Sequence, residues 1–280
     1  MAQDLFFSVI IPTLNEENYL PKLLSDFAKQ RQKNFEVIVV DAMSDDRTKE
    51  KALKFSKYFP LSFHTVTKRN VSHQRNFGAQ KAAGEFLVFL DADCRINTMF
   101  TRNLHADIIQ KKGLLFLPTL TTDETSGKNR VLFKLINSVV ELSQSLTKPL
   151  SSGGSIFIAK KLFLTLLGFK DDLYMSEDHN LVQRARKLGV KAKFLKDVKV
   201  LFSLRRVKKE GQVIVLYKYL LALVYMLVDG RISKKTFMYE MGGAGYKDLK
   251  EKEKWSLKGD AVKLQKIIRK TSSFFVDSLS

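Results

Sequence analysis

Residues 85–96 read EFLVFLDADCRI, a continuous apolar run that ends in two carboxylates two positions apart. A run as uniformly apolar as Phe86 to Leu90 suits a strand covered on both faces, the setting of a parallel sheet. Open sheets of that kind bind ligands just beyond the carboxyl ends of their strands. Asp91 and Asp93 fall at that place, where an acidic pair can hold a hard divalent cation that neutralises a diphosphate. Mg2+ usually takes one or two protein carboxylates and completes its shell with phosphate and water. Taken alone, the pair suits a solvated turn equally well, so the flanking sequence has to decide.

On both sides of this strand, apolar runs alternate with amphipathic stretches over residues 5–120. The pattern predicts strands at Phe6–Ile11, Phe35–Asp41, Leu61–Thr67, Phe86–Asp91 and Leu114–Leu120. Between them it predicts helices at Glu16–Arg31, Asp45–Lys57, His73–Ala83 and Met99–Lys111. Such alternation points to an α/β fold, a doubly wound, mostly parallel sheet with right-handed crossovers and flanking helices. After Pro118 the rhythm changes. TTDETSGKNR reads as a polar loop, Val131–Leu146 as an amphipathic helix, and LSSGGSIFIAKK as a glycine turn feeding a short strand. Glu177–Leu188 reads as a helix stopped by Gly189.

Composition narrows the class. The chain has 280 residues, 45% of them hydrophobic, enough for a substantial core. Its single cysteine, Cys94, excludes an internal disulfide, and no stretch has a Cys/His zinc spacing. The N-terminal apolar run lacks a preceding basic region and a following small-residue cleavage site, which fits a first strand rather than a signal peptide. A reducing, cytoplasmic setting is expected. The formal charge of +19 implies either attraction to an anionic partner or a basic soluble surface. From Arg205 onward there are 17 Lys+Arg against 8 Asp+Glu, so the last 76 residues carry nearly half of that excess.

Four ordered stretches resemble the family 2 glycosyltransferases: SVIIPTLNEE at 8–17, FEVIVVDAMSDD at 35–46, HQRNFGAQKAAGEFLVFLDAD at 73–93 and GFKDDLYMSEDHNLVQRARKLG at 168–189. Together they cover roughly the first 190 residues. The resemblance implies a GT-A fold and inverting transfer of a sugar from a nucleoside diphosphate sugar to an acceptor hydroxyl or phosphate, assisted by Mg2+ or Mn2+. It implies a catalytic domain over 1–205, with a nucleotide-sugar half of about 1–120 and an acceptor half of about 121–205. A basic helical extension over 206–280 is expected to follow.

The same resemblance assigns roles. Pro12, Asn15 and Glu16 would contact the nucleoside, and Asp41 would accept a hydrogen bond from the base. Glu16 also suits an ordinary first-turn acid. Arg75, in an Arg-Asn-x-Gly pattern, would neutralise the diphosphate or clamp the base edge. Asp91 and Asp93 become the Asp-x-Asp motif, with Asp93 the direct metal ligand and Asp91 on ribose or metal-bound water. Glu177 and Asp178 match the Glu-Asp motif, with Asp178 the base that takes the acceptor proton and Glu177 an orienting group. Gly153 and Gly154 are candidates for the acceptor-side floor. The chain departs from the family in having no histidine between Gly189 and Glu210, where many relatives place a further metal ligand. Either Ser203 or water replaces it, or Arg205 and Arg206 carry the charge to the diphosphate. His179 is expected to face solvent.

Val213–Val228, VIVLYKYLLALVYMLV, has one lysine in sixteen residues. An ordinary span needs about 20 apolar residues. The segment is therefore either a helix packed on the catalytic domain or an interfacial helix on an anionic membrane at the inner face of the plasma membrane. The second suits a lipid-linked acceptor in cell-envelope polysaccharide or glycolipid synthesis. The alternative function is a non-catalytic membrane-associated module that keeps the fold; losing either acidic pair would favour it, and both are present. Nucleic acid is not an expected partner, because the chain has no aromatic-basic platform or recognised nucleic-acid motif.

Overall fold

A computed structural model describes residues 5–122, 127–173 and 176–203. The expected C-terminal extension, Arg205, Arg206 and Val213–Val228 lie outside them.

The strand β1 (Phe7–Thr13) is buried along its whole length and is followed by α1 (Leu20–Ala28). Then come β2 (Phe35–Asp41), α2 (Thr48–Leu53), β3 (Leu61–Thr65) and α3 (Val71–Lys81). The strand β4 (Phe86–Phe89) leads through the two-residue β5 (Arg95–Ile96) to α4 (Phe100–Lys111) and β6 (Leu115–Thr121). The remaining elements are α5 (Gly127–Ser143), β7 (Ile156–Ala159), α6 (Lys160–Thr165), α7 (Glu177–Lys187) and β8 (Lys193–Leu201).

The strands form one mixed sheet of order β3-β2-β1-β4-β7-β6-β8-β5. Its β3-β2-β1-β4 half is parallel, with Val9 opposite both Val37 and Val88. The short β7 runs antiparallel to β4 and β6, while β8 lies parallel to β6. The parallel half matches the doubly wound expectation. The sheet is mixed because β7 is inserted antiparallel and β5 pairs antiparallel to β8 at the edge, and β7 carries the 151–154 turn to the carboxyl end of β4.

Several boundaries moved for local reasons. The expected helix from Glu16 begins only at Leu20, beside Pro21; Asn15 before it is left-handed at φ +56, and residues 15–17 donate their backbone N–H groups to the side chains of Ser44, Thr48 and Asp46. Asn70 caps α3 through its side chain, which accepts from the His73 N–H at 2.8 Å. Gly189, at φ +80, follows the end of α7 as expected. Unforeseen were β5, α6 and β8. The first two are too short to show a period. In β8 the alternation is broken by a register shift opposite Pro118 and Thr119, and exposed lysines mask the buried Leu195, Val198 and Val200.

Candidate active site

The carboxyl ends of β2, β1 and β4 open on one edge, and two groups of candidate residues gather there. The first joins the loops after β1 and β2. Asp41 is 3% exposed; its Oδ1 accepts from Thr13 Oγ1 at 2.9 Å and its Oδ2 from the Ser44 N–H at 2.8 Å. Asn15, at φ +56, donates its N–H to Ser44 Oγ and accepts the Asp45 N–H at Oδ1, at 2.8 and 2.9 Å. The Glu16 N–H donates to Thr48 Oγ1 at 2.9 Å. Pro12, Asn15, Glu16 and Asp41 thus sit in a rim whose two loops fix each other. Gln74, which the sequence reading did not single out, ties α3 to this rim by donating from Nε2 to the carbonyls of Thr13 and Val40 at 2.9 and 2.7 Å.

The second group is built around Arg75, whose side chain is 2% exposed. Its Nη2 donates to Asp91 Oδ1 and its Nη1 to Glu177 Oε1, both at 2.7 Å. The guanidinium carbon lies 5.4 Å from the centre of the Phe169 ring. Phe169 is held by two hydrogen bonds with Asn76, one from each direction, at 2.8 and 2.9 Å. Arg75 therefore stands inside an acid cluster, with its two terminal nitrogens engaged by a carboxylate just beyond β4 and one from α7. Burial opposes its charge, but Asp91, Glu177 and Asp178 outweigh burial and raise its pKa further.

Glu177 and Asp178 open α7, where the helix dipole favours acids. Their titrations diverge. Burial pushes the Glu177 carboxyl above its ordinary value against the pull of Arg75, and Asp178 and Asp91 add to the rise. Burial also pushes Asp178 upward, but His179, the hydrogen bonds from the His179 and Gly154 N–H groups, and Arg75 hold it below its ordinary value. Asp178 is 6% exposed, and its Oδ2 accepts the Gly154 N–H at 3.3 Å.

The glycine turn completes the cluster. Gly153 and Gly154 both have positive φ, +61 and +86. A Cβ on Gly154 would stand 2.8 Å from Asp91 Oδ2 and 2.9 Å from Arg75 Nη2, whereas one on Gly153 would meet nothing within 4 Å. Only the second glycine is required by its neighbours as well as by its backbone. His179 does not face solvent as expected: it is half-buried and its Nδ1 accepts the Ser151 N–H at 2.7 Å, pinning the start of this turn to α7.

Asp93 is half-buried two residues beyond Asp91. Between them the chain turns, with the Cys94 N–H donating to the Asp91 carbonyl at 3.1 Å. Cys94 is buried, and burial together with the charges of Asp93 and Asp91 keeps its thiol well above its ordinary pKa. Among the described residues no three His, Cys, Asp or Glu side chains form a ready metal site. The donor set nevertheless fits a hard cation that completes its shell with phosphate and water. The missing side chain at Gly154 leaves Asp91 Oδ2 uncrowded.

Among the described residues no helix is long and apolar enough to cross a membrane. Over 210 residues the chain is 28% identical to the poly(ribitol-phosphate) beta-N-acetylglucosaminyltransferase TarS of Staphylococcus aureus, covering 74% of this chain and 36% of TarS. It is 27% identical over 212 residues to the amylovoran biosynthesis glycosyltransferase AmsB of Erwinia amylovora, covering 68% of this chain and 66% of AmsB. The chain thus spans about a third of the first relative and 66% of the second. The crystal structure of TarS 1–349 in complex with UDP-GlcNAc matches with a TM-score of 0.58 at 26% identity, covering 69% of this chain and 56% of that one. The mannosyltransferase PcManGT of Pyrobaculum calidifontis, in complex with GDP-Man and Mn2+, shares the fold with a TM-score of 0.59 at 21% identity, covering 71% and 56%. Residues 8–159, more than half of the chain, match the family model itself, and the chain belongs to glycosyl transferase family 2.

Proposed function

We propose that this chain is an inverting glycosyltransferase that moves a sugar from a nucleoside diphosphate sugar to an acceptor hydroxyl in cell-envelope polysaccharide or glycolipid synthesis. The observation that carries this reading is the convergence on buried Arg75 of Asp91, just beyond β4, and Glu177 from α7, with Asp178 beside them. Asp178 is the base. Held below its ordinary pKa, it is ionised at neutral pH and able to accept a proton. The acceptor oxygen attacks the anomeric carbon as its proton passes to Asp178. The bond from that carbon to the diphosphate breaks on the opposite face, and the nucleoside diphosphate leaves with the electron pair.

Glu177, fixed by Arg75, orients the acceptor, and the Gly153-Gly154 turn forms the floor beneath it. Pro12, Asn15, Glu16 and Asp41 bind the nucleoside on the neighbouring rim. Asp93 and Asp91 would hold Mg2+ or Mn2+, which supplies charge neutralisation to the departing diphosphate. The net charge of +19 favours an acceptor glycan or lipid that is itself anionic, or one carried on an anionic membrane surface.

Two measurements test the proposal. Calorimetric titration with UDP, GDP, CDP and dTDP, each with and without Mn2+, should show one nucleotide preferred and its affinity raised by the metal. In Asp178→Asn, kcat should fall by about 10²–10⁴ while donor affinity is kept. Wild-type turnover in that variant removes Asp178 as the base. A folded protein that binds none of the four nucleotides is the non-catalytic module instead.

A further inference from the structure

The helix α5 is apolar on two opposite faces. Phe133 and Val140 are buried, and Asn137 on the same side brackets Leu120, accepting its N–H at 2.9 Å and donating to its carbonyl at 2.7 Å. That face packs on β6. On the other side Val131, Leu135, Val139 and Leu142 are 49–73% exposed, and Leu146, also exposed, follows three residues past the end of the helix. The four helical positions, spaced by four, four and three, fall within about 80° of arc at 100° per residue, and the stripe runs about 17 Å along the axis. A helix apolar on opposite faces is suited to burial on both.

Where the described chain ends bears on what covers this face. After β8 the Phe202 N–H donates to the Thr121 carbonyl at 2.8 Å, so the chain leaves the sheet beside the last residue of β6, six positions before α5 begins. The sequence then runs through nine residues, 204–212, into Val213–Val228. Nine residues reach up to about 30 Å, enough to place Val213 anywhere along α5. Sixteen residues wound as a helix would measure about 24 Å, more than enough to cover the stripe. Lys218 is the one charged residue in the sixteen, so this segment also needs an apolar cover.

We propose that Val213–Val228 docks on the outer face of α5, covering Val131, Leu135, Val139 and Leu142 within the same chain. The apolar segment is then part of the catalytic unit, and any attraction of the protein to an anionic surface comes from its lysines and arginines rather than from this segment entering a bilayer.

The test uses the full chain. Cys94 is buried, so an introduced thiol is labelled selectively. In dilute, lipid-free solution Leu142→Cys should alkylate at least about tenfold more slowly than Ile109→Cys, a comparably exposed site on α4, because it must wait for the docked segment to open. A benzophenone side chain in place of Val139 should crosslink to residues 213–228 of its own chain, with the same yield when phosphatidylglycerol vesicles are added. Equal alkylation rates overturn the proposal. So do crosslinks to lipid, crosslinks to a second, isotopically distinct copy, or an absence of crosslinks to 213–228. Should the benzophenone variant fail to fold, the alkylation rates decide alone.

Discussion

Replacing Arg75 with Met keeps an unbranched side chain beside Phe169 but removes the guanidinium from between Asp91 and Glu177. Both hydrogen bonds are 2.7 Å long, and the arginine side chain is 2% exposed, against 13% for Glu177 and 33% for Asp91. Removing one partner of a buried ion pair costs about 3–5 kcal/mol, because the other charge is left uncompensated. The Asp91 pair is partly open to water and adds little beyond that. A loss of about 3–4 kcal/mol at pH 7 is expected, which lowers Tm by about 6–16 °C for a domain of this size. The loss should depend on pH. Glu177 already titrates above its ordinary 4.5 in the folded protein, so its contribution to stability is full below 4.5 and is lost as pH rises through the folded value. Without Arg75 that folded value rises further, so the variant should fall behind the wild type progressively above pH 4.5. Urea unfolding across pH 4–8 measures this. Adding Glu177→Gln to Arg75→Met should recover about 2 kcal/mol by removing the stranded charge. A loss below about 1 kcal/mol at pH 7, or strict additivity of the two substitutions, would refute the claim that Arg75 holds the acid cluster together.

The other site residues lead to further expectations. Gly154→Ala should impair turnover and destabilise by about 2–3 kcal/mol, because its Cβ meets Asp91 and Arg75; Gly153→Ala, with open space around it, should lose only about 1–2 kcal/mol for its left-handed backbone, and the difference in unfolding free energy reports the crowding. Gln74→Ala removes two buried hydrogen bonds, to the Val40 carbonyl and to the Thr13 carbonyl, which keeps the Ala42 N–H, and should cost about 1–3 kcal/mol by denaturant titration, while raising KM for the donor by loosening the rim. Asp178 titrates below its ordinary 3.8, so the stability it contributes is present above 3.8 and lost as pH falls through the folded value. A fall in kcat/KM already evident above pH 4.5 should therefore reflect Glu177, and its midpoint should move upward in Arg75→Lys, whose point charge cannot serve two carboxylates at once. Chelation with EDTA should weaken nucleotide binding in the wild type and leave the residual binding of Asp93→Ala unchanged, as calorimetry can show.

The parallel half of the sheet was legible because its strands are buried on both faces, and uniform burial writes an uninterrupted apolar run: FEVIVVD became β2 with the expected boundaries. The acid pairs were legible as motifs, since each lies at a strand or helix terminus where a carboxylate has a local reason to be. The environment of Arg75 was not. Its partners stand 16 and 102 residues away, and a local window holds no record of which charges will share a cavity. Nor could a sequence period mark β7 as antiparallel, because four apolar residues read alike in either direction.

The helix that carries Arg75 shows why the site escapes a reading based on hydrophobic pattern. The buried positions of α3 are Ser72, Gln74, Arg75, Gly78 and Ala79, a face with almost nothing apolar on it. Such a helix has little hydrophobic reason to lie on a sheet. What holds it there is a close approach at Gly78, where an added Cβ would stand 2.6 Å from Ile10 Cγ2, together with polar groups that find partners in the sheet edge and across the cleft. Gln74 satisfies two strand-end carbonyls, and Arg75 satisfies two acids. Ser72 Oγ and Arg75 Nε on the same face have no hydrogen-bond partner among the described residues, so the polar hold on α3 rests on the Gln74 amide and the two terminal nitrogens of Arg75. The rim and the acid cluster therefore share one support: a change on α3 that lets the helix retreat from Ile10 should disturb nucleoside binding and the Asp91–Arg75–Glu177 arrangement together, even though no candidate residue has been replaced.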